Sequence, residues 1–200
     1  MRKKSSASGF SAAAGALAFC ALLAAPPALA ATTPQPKIVV VDRAGIMRAS
    51  KVGQDIVRQI NAYTDSAEKE LKAKGSSLRA EGQALQRQLA ILAADVKSRK
   101  IKEFEARQSA LQAEAQKRQS LIQGGFIKAR QQVEQALGPI LQGIMVERGA
   151  NLMLDRNAVV LGAPGIDVTS LAVQRLNQKL PSVKVELVAP PPGFQQPPPQ

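Results

Sequence analysis

Apolar positions follow two different rhythms along this chain, and the change of rhythm divides it. Lys37-Ile38-Val39-Val40-Val41-Asp42 is a β-branched run too short for a helix, and it predicts a buried strand. From about Val52 the spacing becomes helical. Val52, Ile56, Ile60, Tyr63, Ala67 and Leu71 lead into Leu78, Leu85, Leu89, Leu92 and Val96. Leu71, Leu78, Leu85 and Leu92 keep a strict seven-residue interval. A return stripe runs through Phe104, Leu111, Ala115, Ile122, Phe126, Ala129, Val133, Leu137, Ile140 and Ile144. Two helices of about 45 residues, each reaching ~65 Å, are predicted over 52–148. The stripe changes phase across Lys97-Ser98-Arg99-Lys100, so the tip of a hairpin is expected near 95–102, with Ser98 as a cap. One unbroken helix is the alternative, but it would leave two sparse stripes facing nothing.

Gly149 should cap the return helix after Arg148. Over 149–188 the pattern predicts a β-hairpin, a short helix and a last strand. Asn151–Asp155 and Ala158–Leu161 would pair through a turn at Arg156-Asn157. Asp167 or Thr169 would cap a helix carrying Val168, Leu171, Leu176 and Leu180, which Pro181 stops. Val183-Lys184-Val185-Glu186-Leu187 alternates like a strand. Six of the eleven residues from Pro190 onward are Pro, so 189–200 is expected to be a disordered tail. The class is therefore α+β, mostly α: a long antiparallel helical hairpin on a small β-containing oligomerisation body. Its first strand belongs to 31–51. A body with so few strands leaves sheet edges that a symmetric oligomer could cover.

Residues 1–30 read as an address. Arg2, Lys3 and Lys4 precede an uncharged, Ala-rich run from Phe10 to Ala25, and Ala28-Leu29-Ala30 supplies a cleavage site. Cys20 follows Phe19, where a lipoprotein signal would need a small residue. The expectation is a cleaved signal peptide and an exported bacterial protein.

Charge and composition then remove chemistry. There is no His, one Cys and no Trp. Imidazole bases, Ser–His or Cys–His pairs and thiolate metal clusters are excluded. A Lys–carboxylate hydrolase finds no phosphate-cradling glycine loop and no nucleophile elbow. No enzyme activity and no cofactor are expected. Net charge is +12, and between Ser66 and Arg130 fourteen Lys or Arg stand against seven Asp or Glu. Lys97, Arg99, Lys100 and Lys102 cluster at the expected tip, a field that attracts acidic chains or anionic lipid. Without interleaved aromatics to stack bases, nucleic acid is a poor partner. Gly75, Gly82, Gly124 and Gly125 interrupt the arms and are candidate hinges; close helix packing is the competing reading.

The order strand, long hairpin, second β segment and Asp-x-Thr helix resembles the Skp/OmpH family of periplasmic chaperones. The resemblance rests on Val39-Val40-Val41-Asp42, Ser50 and Gly53, on Leu152–Leu161, and on Asp167-Val168-Thr169. It spans roughly 37–180. The Pro-rich tail and Gly124-Gly125 depart from the family pattern. The resemblance implies a homotrimer in which helical arms enclose a cavity and hold unfolded outer-membrane proteins in the periplasm without ATP. It also implies lipopolysaccharide as a further anionic partner. A structural coiled-coil protein of the cell envelope is the alternative.

Overall fold

The computed structural model describes residues 35–193; the signal segment expected over 1–30 and the tail residues 194–200 lie outside them. Strand β1, Ile38–Val41, runs through the centre of the body. Val39, Val40 and Val41 are all buried, as an unbroken β-branched run requires. The chain then leaves into the arm and returns to the same end of the body. The second strand, β2 (Leu152–Asp155), therefore pairs with β1 in parallel, from Ile38 opposite Leu152 to Val41 opposite Asp155. On the other edge of β1, the Val168 amide donates to the Val40 carbonyl at 2.9 Å. The Asp42 amide donates to Thr169 Oγ1 at 2.9 Å.

A short helix that sequence periodicity did not predict, α1 (Arg43–Ala49), separates β1 from the arm. The Asp42 carboxylate caps it by accepting from the Gly45 amide at 2.6 Å. Ser50 ends α1 and caps the next helix, α2 (Lys51–Gln88), accepting from the Gly53 amide at 3.2 Å. Ser50 is wholly buried, and a Cβ on Gly53 would overlap the Met47 carbonyl oxygen. The two residues thus set the corner from which the arm rises.

The arm consists of α2, 38 residues, and α3 (Ala94–Arg148), 55 residues. The turn between them occupies 89–93, not 95–102. Ala93 takes the extended conformation that breaks the helix, and Asp95 sits favourably in the first turn of α3. Ser98 lies inside α3 and caps nothing. The first turns of α3 are polar before its apolar stripe begins, and that polar lead is what the phase break recorded. At the base, Gly149 ends α3 in the left-handed conformation, with φ of 58°.

Two expectations for 149–188 are corrected. No β-hairpin forms at 151–161: after β2 a 3-10 turn covers Arg156–Ala158, and the chain then runs irregularly to a second such turn at Pro164–Ile166. β1 pairs with one edge of β2 and the other edge stays open, but the turn at Arg156–Ala158 carries the chain away from it, so Ala158–Leu161 does not fold back. Nor is 183–187 a ladder strand. It is extended, but it lies along the arm and hydrogen-bonds to side chains there. Helix α4, Thr169–Lys179, forms as expected, but its cap position is Val168, which has no capping side chain; the Asp167 carboxylate accepts from the Thr169 amide at 2.8 Å just before the helix. One core joins β1, α1, the base of the arm and α4. Ile46, Val52, Ile56, Val133, Ile144, Val168, Leu176 and Val185 are its most deeply buried side chains.

Candidate functional site

Beyond its base the arm is thinly packed. Between Ser66 and Lys117 the one buried hydrophobic residue is Ala67, and the seam relies on half-buried leucines and on ion pairs across it. Lys74 Nζ bonds both oxygens of Glu114, at 2.6 and 2.7 Å. Arg118 reaches Glu70 at 2.7 Å, and Arg107 pairs with Glu81. The hydrogen bond from Lys74, with the charges of Lys74 and Arg118, holds the Glu114 carboxyl below the usual range. These pairs engage Glu70, Glu81 and Glu114.

The basic cluster falls outside that compensation. Lys97, Arg99, Lys100 and Lys102 lie in the first turns of α3, just past the turn, with Arg87 close to the end of α2. Among the described residues none of the five has a carboxylate within ion-pair distance, and Asp95 is the single acid between Arg87 and Lys102. Counting on to Glu105, five cations stand against three acids, so the far end of the arm keeps a net positive charge without ion pairs of its own. Ile91, in the turn itself, is strongly exposed beside it.

The four glycines have different surroundings. At Gly75 an added Cβ would meet only Leu111 Cδ2, at 3.9 Å, and at Gly82 it would press on Phe104 Cζ at 2.9 Å. Gly124 and Gly125 instead lie beneath another backbone. A Cβ on Gly124 would overlap the Val188 carbonyl oxygen, and one on Gly125 would stand 2.7 Å from that of Glu186. The close-packing reading thus has a physical content at this pair.

At the other end of the body the sheet presents an apolar face. A cavity of about 730 Å³ lies between Ile38, Val40 and Leu154 on the sheet and the loop residues Val159, Val160 and Leu161. Val160 and Leu161 are almost fully exposed, and Ile38 and Leu152 are partly so. Two adjacent large apolar side chains in water are unusual for an isolated surface. Neither this loop nor its cavity was legible as such; the apolar run after Arg156-Asn157 suggested the second strand of a hairpin.

The family model of outer membrane proteins (OmpH-like) matches residues 37–176, from the start of β1 into α4. This chain belongs to the OmpH-like family. A solved structure from Caulobacter crescentus CB15, named provisionally as an outer membrane chaperone (OmpH-like), has the same fold, with a TM-score of 0.72. The two are 22% identical, over 78% of this chain and 92% of that one. No curated protein matches the chain. Within this OmpH-like chain, Ser50, Gly53 and Asp167-Val168-Thr169 hold the body together, through caps and the bond from Asp42.

The OmpH-like match stops at 176, so the extended segment after Pro181 lies beyond it. Sequence reading missed the residues that seat this segment. Gln59 Nε2 donates to the Val183 carbonyl at 2.8 Å, and Gln59 Oε1 accepts from the Val185 amide at 2.9 Å. Tyr63 donates to the Val185 carbonyl at 3.2 Å, and Lys128 pairs with Glu186 at 2.7 Å. That bond from Lys128 holds the Glu186 carboxyl below its ordinary value. The signals available were the single Tyr, the Gly-Gly pair and the Val-x-Val alternation, widely separated in sequence.

Proposed function

We propose that this protein is an ATP-independent holdase of the periplasm that keeps unfolded outer-membrane proteins soluble between the arms of a homotrimer. The observation that carries the reading is the combination, in an OmpH-like chain, of a long, thinly packed arm with an open apolar face at its foot. One arm encloses nothing. Copies joined through Ile38, Leu152, Val160 and Leu161 would bury that face, cover the free edge of β2 and bring several arms around one space. The arms then bind by many weak contacts, which suits clients of varied sequence. The cations Lys97, Arg99, Lys100 and Lys102, which make no ion pair, recruit acidic unfolded chains at the mouth, and anionic lipid or lipopolysaccharide by the same field. Gly75, where only Leu111 comes near, gives the outer arm its freedom to widen, while Gly82 seats Phe104 of the facing helix. No catalytic step is assigned to any residue.

The test is whether the purified protein keeps a urea-unfolded β-barrel membrane protein from aggregating on dilution. Capture should slow as salt rises, because screening confines the field to ~8 Å near physiological ionic strength. Replacing Lys97, Arg99, Lys100 and Lys102 with Gln should slow capture more than it speeds release, since long-range charge acts mainly on association. Aggregation unchanged by the protein would leave a structural coiled-coil role in the envelope. Flat, coincident salt curves for the two proteins would remove the recruiting role alone.

A further inference from the structure

The segment 183–188 is bound as a peptide ligand is bound. Gln59 presents its side-chain amide as a surrogate peptide unit, donating to one backbone carbonyl and accepting from the amide two residues on. Tyr63 adds a third contact, again to backbone. Gly124 and Gly125 remove the side chains that would keep the segment's backbone off α3. Recognition of this kind reads an extended main chain, and pockets at alternate positions add a preference for side chains. Here the pockets take Val183 and Val185, both buried, while Lys184 and Glu186 face outward.

The occupant itself indicates what else would fit. Val183-Lys184-Val185-Glu186-Leu187 alternates apolar and polar residues. Alternation of this kind marks any strand with one buried face, and the strands of transmembrane β-barrels extend it over ~10 residues, so an unfolded barrel protein offers many segments of the same kind. The segment lies beyond the family match, on a groove formed by residues within it.

We propose that the groove between Gln59, Tyr63 and Gly124-Gly125 is a binding site for an extended, alternating segment of an unfolded β-barrel protein, closed in cis by residues 183–188. The inference rests on the holdase reading and deepens it. The tail is a tethered competitor, present at the high effective concentration of a short linker. A tail seated for ~90% of the time lowers the apparent affinity of the groove for another chain about tenfold. Clients that offer several alternating segments displace it; shorter or irregular chains do not.

The test separates the occupant from the groove. In the full chain, V183D/V185D takes Val183 and Val185 out of the body core as it frees the tail, so far-ultraviolet circular dichroism must show the helices intact before its affinity is read; G124A/G125A should free the tail and fill the groove. Tyr63, the sole tyrosine in a chain without Trp, reports tail release by its fluorescence. Expected is an affinity for the unfolded barrel protein roughly tenfold higher in V183D/V185D, with the gain erased when all four substitutions are combined. A labelled peptide of residues 181–193 should bind the chain ending at Leu180 and be displaced by the unfolded barrel protein. If Tyr63 shows the tail free but affinity does not rise, or if the alanine pair leaves the gain intact, the proposal is overturned. Peptide that stays bound under saturating barrel protein also overturns it and makes the segment a brace. Should the chain ending at Leu180 fail to fold, the full-length variants decide alone. Should the unmodified protein fail to prevent aggregation, the holdase reading falls, while peptide displacement still decides what the groove accepts.

Discussion

The same substitution at two glycines of α2 should have opposite signs. At Gly53 an added methyl overlaps the Met47 carbonyl oxygen and lies 2.8 Å from its carbon, so backbone must move. It also stands 3.1 Å from Ser50 Oγ, whose hydroxyl is buried and caps α2 through the Gly53 amide. Loss of such a cap costs ~1 kcal/mol, and forcing a methyl into a packed site costs about 1–3 kcal/mol. Ala gains at most ~1 kcal/mol over Gly in a helix, less in a first turn. Gly53→Ala should therefore destabilise the body by roughly 1–3 kcal/mol net. At Gly75 the methyl meets Leu111 at an ordinary 3.9 Å, so the helix gain of ~1 kcal/mol is kept. Urea titration followed by far-ultraviolet circular dichroism measures both, with hydrogen exchange locating each change to the body or the outer arm. Two variants that shift in the same direction would refute the geometry at the corner. The Gly75 variant also probes the hinge: if the outer arm flexes there, it should hold a narrower range of client sizes with its body unchanged.

Two further outcomes follow from the surface. Val160→Asp with Leu161→Asp should leave circular dichroism of the arm intact while lowering the oligomeric mass measured by light scattering, because both residues are exposed in a single copy; an unchanged mass would remove that loop from assembly. Acid should loosen the tail: Glu186 has its carboxyl lowered below 4.5 by Lys128, so its contribution is complete above that value and is lost as pH falls through the lowered one. Tyr63 fluorescence should be flat between about pH 5 and about pH 8 and change below 4.5, and a change within that flat window would contradict this assignment.

The sequence carried the arm because helical amphipathicity is local and repeats. Every turn of α2 and α3 restates the stripe, so the stripe through Leu71, Leu78 and Leu85 and the cap at Gly149 were legible without partners. The tip was misplaced because a turn without Gly or Pro carries no local mark, and the polar first turns of α3 look the same as a loop. The strand β1 was legible for a related reason: an unbroken β-branched run has few other uses.

What tertiary structure alone decided is partnership. Val-x-Val at 183–185 alternates and Ala158–Leu161 is an unbroken apolar run, and neither pattern names what covers it. One became an extended segment on the arm because Gln59 and Gly124-Gly125 meet there from positions more than 60 residues apart; the other was left in water because the turn at Arg156–Ala158 carries it away from the open edge of β2. In the same way fourteen cations were countable along the arm, but only the folded hairpin sorted those matched across the seam, such as Lys74 with Glu114, from the tip cluster, which makes no ion pair among the described residues. Local periodicity fixes an element from residues a few positions apart; the pairing of elements depends on contacts closed over a hundred residues, and no short stretch encodes those.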